Sequence, residues 1–143
     1  MNSRILKTTW IKTTGKIIYQ PGHTSFLRKK RSVDEHHTIV TASKGLSDYY
    51  RWWIDREFHL WIQPPMLNVH VSVFNGKESL GPEANRILTQ LNNTVVEYEY
   101  SVDVQQHWKF WVLPVRSEAL KNIREQCGVK RDYHFHITIG RMV

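Results

Sequence analysis

Two short segments of the sequence carry a histidine and a hydroxyl residue two positions apart. The first is His70-Val71-Ser72-Val73 and the second is His136-Ile137-Thr138-Ile139. Side chains two apart on a β-strand point to the same face, so each segment would expose an imidazole and a hydroxyl and bury its Val or Ile residues. Imidazole titrates near neutral pH and suits proton transfer, while hydroxyls suit hydrogen bonding to phosphate oxygens. The two segments together indicate acid–base chemistry on a phosphodiester, with no metal required.

This hypothesis depends on the presence of both segments. A single histidine on the polar face of a strand is usually a surface residue, and threonine is common in strands for other reasons. Here each segment ends a strand–helix–strand unit and each is flanked by β-branched apolar residues. If an approximate twofold relates the two units, His70, Ser72, His136 and Thr138 converge on one cleft.

The elements that must position these segments form two similar halves, which predicts an α+β fold with two lobes. Alternating residues predict the strands, and apolar residues at helical spacing after a capping serine predict the helices. The first half comprises a strand Thr38–Ala42, a helix Asp48–His59 capped by Ser47, and a strand Asn68–Phe74. The second half comprises a strand Phe110–Val115, a helix Glu118–Gln126 capped by Ser117, and a strand Tyr133–Arg141.

The remaining segments are predicted from turn residues and charge. Ile5–Tyr19 reads as a β-hairpin that turns at Thr14-Gly15. The basic run Arg28–Arg31 is typical of a solvated loop. A helix is expected over Glu83–Leu91, followed by two strands, Val95–Val104 and His107–Val115, joined by a hairpin turn at Gln105-Gln106. We expect one domain over residues 1–143, with the hairpin and basic loop occupying residues 1–37.

The composition favours an anionic partner and a reducing compartment. Lys and Arg number 20 against 13 Asp and Glu, which gives the 143-residue chain a net charge of +7. Such a charge attracts nucleic acids and nucleotides. Cys127 is the one cysteine, which excludes an intramolecular disulfide framework and a CxxC metal site. Because no apolar run reaches the ~18 residues of a membrane span and no signal peptide is apparent, we expect a cytoplasmic protein without membrane contact.

The paired segments resemble the duplicated His-x-Ser/Thr motifs of the two-histidine (2H) phosphoesterase superfamily, over a match from Thr38 to Arg141. Within it, the chain is most similar to phage anti-CBASS nucleases, which destroy cyclic oligonucleotide immune signals. The resemblance implies a bilobal fold and metal-independent cleavage of 3′–5′ bonds through attack by the neighbouring ribose 2′-hydroxyl. It implies that His70 and His136 act as acid and base, that Ser72 and Thr138 hold the phosphate, and that no cofactor takes part.

Five further residues are candidates for substrate contact. His134 shares a face with His136, Arg141 lies near the end of the same strand, and the aromatic residues of the predicted hairpin could stack a base. A regular strand would turn Arg141 away from the histidines, whereas a bulge would change that. The candidates are His134, Tyr100, Trp108, Trp111 and Arg141.

The sequence also contains other histidines and is compatible with other functions. His36, His37 and His59 have no metal-ligand spacing with an acidic partner, so a zinc site is not expected. A second hypothesis is an enzyme that acts on RNA ends and their 2′,3′-cyclic phosphates. A third is a noncatalytic basic module that binds RNA or a cyclic nucleotide. No phosphate-binding loop, dinucleotide fingerprint or nucleophile elbow is present in the sequence.

Overall fold

The computed structural model describes residues 8–20, 36–65 and 68–142. Within these ranges the chain forms seven strands and three helices. In chain order they are β1 (Trp10–Tyr19), β2 (Thr38–Thr41), α1 (Lys44–Phe58), β3 (His70–Ser72), α2 (Ala84–Leu91), β4 (Val95–Ser101), β5 (Gln105–His107), β6 (Phe110–Arg116), α3 (Glu118–Gln126) and β7 (His136–Arg141).

Six of these strands close into a ring. The order around it is β1-β2-β3-β7-β6-β4, and β4 pairs again with β1. Every pairing is antiparallel, and β5 adds to the outer side of β6 as a short extra strand. The predicted α+β class is confirmed.

The ring is built from two halves with the same order of strands and helix. The first half runs β1-β2-α1-β3 and the second runs β4-β6-α3-β7, and the halves meet where β3 pairs with β7 and where β1 pairs with β4. Each half contains the strand–helix–strand repeat expected from the sequence. The repeat therefore brings the two histidine segments to neighbouring strands.

One face of the four central strands packs against helix residues to form the hydrophobic core. Val40, Val71, Leu113 and Ile137 come from β2, β3, β6 and β7, and all four have 0% exposed surface. Helix α1 packs beside β7, where the Ser47 hydroxyl donates a hydrogen bond of 2.6 Å to the Ile139 carbonyl. Burial of alternate aliphatic residues fixes the strand register, since a one-residue slip would expose this whole set.

The helix boundaries depend on which serine caps each helix. Helix α3 is as predicted: the Ser117 hydroxyl oxygen accepts from the Leu120 amide at 3.1 Å. Helix α1 begins at Lys44, earlier than the predicted Asp48, because Ser43 caps it and accepts from the Gly45 amide. The prediction of Ser47 as the cap is wrong. Ser47 lies within α1, and its buried hydroxyl donates a hydrogen bond to a carbonyl of β7.

The predicted turn at Thr14-Gly15 is wrong. Strand β1 runs straight through these residues, pairing with β4 up to Lys16 and with β2 from Ile17 onward. Gly15 serves a close backbone approach, because a Cβ atom there would lie 2.2 Å from the Thr41 carbonyl oxygen. Ile5–Lys7 and the basic run Arg28–Arg31 lie outside the described residues.

The predicted turn at Gln105-Gln106 is also wrong. Both glutamines lie in β5, and the turn of the β5–β6 hairpin falls at Trp108 and Lys109. Trp108 adopts a left-handed backbone with φ of 58°, which provides the reversal. Strand β4 ends at Ser101, whose hydroxyl accepts from the Asp103 amide at 3.1 Å and stabilises a local turn.

Candidate active site

The two histidine segments lie side by side at the centre of the ring. Val71 of β3 pairs with Ile137 of β7, and both side chains point into the core. Continuing this antiparallel register by one residue in each direction sets His70 opposite Thr138 and Ser72 opposite His136. Directly opposed residues have Cβ atoms about 4.5–5.5 Å apart. The four side chains therefore form one polar patch on the face of the sheet opposite Val71 and Ile137, which we call the His-Ser-His-Thr patch.

Both histidines are oriented in the same way. The Nδ1 atom of His70 lies 2.6 Å from the Asn68 carbonyl oxygen, and the Nδ1 atom of His136 lies 3.2 Å from the His134 carbonyl oxygen. A carbonyl oxygen only accepts, so each Nδ1 carries the proton. Each neutral ring therefore has its basic lone pair on Nε2, the nitrogen suited to exchange a proton with a substrate.

The two imidazoles nevertheless have different environments. His136 is exposed, whereas His70 is half-buried. Burial lowers the pKa of His70 below its usual value of 6.5, and nearby His37 and His136 lower it further against the opposing hydrogen bond to Asn68. His70 is accordingly neutral at neutral pH and has the properties of a general base.

Strand β2 brings further polar residues to the same face. Thr41 pairs directly with His70, and its Oγ1 accepts from the Lys16 amide at 2.9 Å. His37, two residues before Ile39 on this face, is close enough to influence the charge on His70. Neither residue was among the candidate site residues predicted from the sequence. The alternation His37-x-Ile39-x-Thr41, continued back from the predicted strand, was the signal that could have found them.

A bulge in β7 brings Arg141 to the patch side of the sheet. Val112 pairs with Thr138 and Trp111 with Gly140, so Ile139 is an extra residue in β7. Phe110, which alternates with Val112 on the regular strand β6, then pairs with Arg141. The Arg141 Nε atom is buried without a hydrogen-bond partner. Arg141 is therefore a candidate for substrate contact on structural grounds as well.

The other predicted contact residues divide between two faces. His134 is exposed just before β7, and Trp108 is 79% exposed in the hairpin turn with the Lys109 ammonium 4.7 Å from its ring. Trp111 is buried on the core face and stacks on Phe58 at a centroid distance of 5.9 Å. Tyr100 pairs with Val115 and packs against the same core. The structure thus does not bring Trp111 and Tyr100 together with the histidines.

A cavity of about 410 Å³ adjoins the patch on the β2 side. Its lining includes Thr41 and Asn68, which contact or pair with His70, and apolar wall residues such as Pro64. Lys44, Arg51 and Asp48 supply a net positive charge at its rim. The cavity has the size of pockets that bind small ligands and is suited to an anionic one.

Buried Arg124 ties together the segments on either side of the patch. Its guanidinium donates to the carbonyl of Val73, the residue directly after β3, and to the Lys130 carbonyl in the loop that leads to β7, at 2.8 Å each. It also forms a two-pronged ion pair with Glu78 and stacks on Tyr133 at 4.1 Å. The hydrogen bond from Arg124 lowers the pKa of Glu78. These contacts hold the ends of β3 and β7 in a fixed relation.

Among the described residues, no group of three His, Cys, Asp or Glu side chains is arranged to hold a metal ion. No helix in the described ranges is long and apolar enough to cross a membrane. Comparison of the chain with protein-family models, curated proteins and solved structures finds no match.

Proposed function

We propose that this protein is a metal-independent phosphodiesterase of the two-histidine type that cleaves 3′–5′ bonds of cyclic di- or oligonucleotide immune signals. In this proposal it is a phage countermeasure that acts in the cytoplasm of the bacterial host. The observation that carries the proposal is the patch itself: two histidines with the same Nδ1 anchoring, each opposite a hydroxyl residue on the neighbouring strand.

The mechanism assigns the histidines different roles. His70, neutral because of its lowered pKa, removes the proton from the ribose 2′-hydroxyl. The 2′-oxygen attacks the adjacent phosphorus, the bond to the 5′-oxygen breaks, and His136 in its protonated form donates its Nε2 proton to that leaving oxygen. The product is a 2′,3′-cyclic phosphate and a free 5′-hydroxyl. Intramolecular attack gains an entropic advantage that water lacks.

The hydroxyls of Ser72 and Thr138 stabilise the charge on the nonbridging oxygens, as donors directed at the phosphate. Arg141 and the basic rim of the 410 Å³ cavity add positive charge on the same side of the sheet. The cavity offers space for a nucleoside beside the scissile phosphate. The bilobal fold of the superfamily is part of the proposal, and the twofold β-β-α-β order of the ring supports it.

Turnover of a substrate panel tests the proposal. The protein is incubated in excess EDTA with cyclic di- and trinucleotides, their 2′-deoxy analogues and an RNA ending in a 2′,3′-cyclic phosphate, and the products are identified by mass spectrometry. We expect ring opening of the ribose forms through a 2′,3′-cyclic phosphate, with no ¹⁸O from labelled water in the first step, and no cleavage of the deoxy forms. Turnover of the RNA alone would indicate an RNA-end enzyme, and binding without turnover a noncatalytic module.

The histidine variants test the assignment of residues. His70→Ala and His136→Ala should each lower the turnover rate by about 100-fold or more, the usual value of positioned proton transfer, while substrate binding persists. His107→Ala is the matched control, because this exposed histidine lies in β5, which pairs with neither β3 nor β7. If either active-site variant turns over like His107→Ala, the acid–base pair is refuted.

A further inference from the structure

A second cavity, of about 380 Å³, lies between α1 and the turn that follows β4. It shares no lining residue with the cavity beside the histidines. Its walls are three aromatic side chains, one carboxylate and two valines: Tyr49, Tyr50, Trp53, Asp103, Val102 and Val104. Among its lining residues the carboxylate is the one charged group, although the whole protein carries a net charge of +7.

Two of the aromatic walls meet at a right angle. The rings of Tyr49 and Tyr50 are nearly perpendicular, with an interplanar angle of 86° and centroids 5.1 Å apart. The Tyr50 hydroxyl donates to the Val102 carbonyl at 2.9 Å, which fixes that ring against the turn. Tyr49 remains 55% exposed, so the cavity is open to a ligand from solvent.

The electrostatics of this cavity are negative. Ring faces carry the negative part of the aromatic quadrupole, and they attract cations within about 6 Å. Burial raises the pKa of Tyr50 to about 12, with additional contributions from Tyr100, Tyr49 and Asp103. The carboxylate therefore lies close enough to the rings to act with them on one ligand.

We propose that this cavity binds a quaternary ammonium group. Three ring walls and one carboxylate match the shape and charge of a methylated ammonium, which has no N–H donors that would need acceptors. The ligand is either a free molecule such as choline or a trimethylated lysine side chain. This proposal is independent of the phosphodiesterase activity.

Titration with matched ligands tests the charge requirement. Tetramethylammonium chloride and choline are added to ¹⁵N-labelled protein at constant ionic strength, with sodium chloride as the salt control. We expect saturable shifts of the Trp53 indole N–H and of the amides of residues 102–104, with a dissociation constant in the millimolar range or tighter. The neutral choline isostere 3,3-dimethylbutanol should not reproduce them. Equal binding of the isostere, or no saturation by either cation, would overturn the proposal.

Variants test where the cations bind, and a second ligand tests whether the natural ligand is a protein side chain or a small molecule. Tyr49→Ala should weaken binding roughly 2- to 30-fold, and Tyr49→Phe, which keeps the ring, should not. Asp103→Asn should weaken binding of the cations. Trp61→Ala is the matched control, since this exposed tryptophan lies beyond the end of α1 and does not line the cavity. A trimethyllysine peptide that binds more tightly than choline would identify a protein ligand, and the reverse a small molecule. Equal loss in Trp61→Ala would contradict the location.

Discussion

The two histidines of the patch differ in their surroundings. His70 and His136 hold the same tautomer through the same backbone contact, yet His70 is half-buried and lies near two other imidazoles. Burial and positive neighbours both disfavour its protonated form. In the proposed mechanism, this difference would give one symmetric motif a base and an acid without any difference in residue type at the histidine positions.

The pH dependence of activity should report the lowered pKa of His70. Because the base must be neutral, kcat/KM should rise with pH along an acidic limb that lies below pH ~6.5, the ordinary histidine value. His37→Gln removes one positive neighbour, so the pKa of His70 should rise and the acidic limb should move to higher pH. An NMR titration of His70 in both proteins measures the shift directly. A limb that moves to lower pH would contradict the role of His37.

The buried guanidinium of Arg124 should be one of the largest single contributions to stability. It is 1% exposed and its partner Glu78 is largely shielded. Arg124→Met leaves that carboxylate without its partner, which should cost about 3–5 kcal/mol in the free energy of unfolding. The surface pair of Arg86 with Glu83 is the control, and Arg86→Met should cost about 1 kcal/mol or less. Urea unfolding of the two variants compares these values, and similar losses would show that burial of Arg124 adds nothing.

At the scale of secondary structure, sequence patterns identified elements well where local chemistry decides. Helix α3 has its capping serine, its acidic first turn and a glycine after its end, and its bounds agree with the prediction. The alternation of Val71 and Ile137 with polar residues placed both histidine segments on strands with the correct face exposed. These features depend on residues that are close neighbours in the chain, so they can be recognised from the sequence alone.

The errors at this scale have tertiary causes. Gly15 resembled a turn residue, but the close approach of the Thr41 carbonyl requires a glycine there. Ser47 resembled a cap, but its hydroxyl is needed 92 positions away, at Ile139. The bulge at Ile139 depends on pairing with β6, which no local pattern predicts. His37 was missed because it follows a charged stretch of sequence, whereas its electrostatic partner, His70, lies 33 positions away in β3.

Gly15 offers a test of how strand packing supports the site. In Gly15→Ala the new methyl group would meet the Thr41 carbonyl, which must move along with the side chain opposite His70. We expect a loss of about 1–3 kcal/mol of stability from overpacking, together with reduced turnover. Gly45→Ala is the control, because the helical Cβ meets only the Ser43 hydroxyl at 3.4 Å and should stabilise α1 by about 0.5–1 kcal/mol. Thermal unfolding and turnover of both variants test these expectations. Unchanged stability and turnover in Gly15→Ala would show that β1 can shift freely.

For the molecule as a whole, positive charge is the main long-range influence on the proposed substrate. The net charge of +7 and the basic rim beside the patch attract a phosphodiester over distances that salt shortens. Raising sodium chloride from about 0.05 to 0.5 M should therefore increase KM severalfold and leave kcat nearly unchanged, because proton transfer within the patch is local. Steady-state kinetics at several salt concentrations measure this. A fall in kcat with constant KM would place the charge effect in the chemical step.

The closed ring of strands also affects how the protein behaves when it is concentrated. Open sheets present unpaired backbone groups that can template aggregation with other chains. In the described part of the molecule each of the six ring strands has a partner on both sides, and β5 has one partner, β6. That strand is three residues long, with the exposed sequence Gln105-Gln106-His107. Short polar edges of this kind resist intermolecular strand addition, so the fold limits amyloid-like assembly to a site that offers little apolar surface for it.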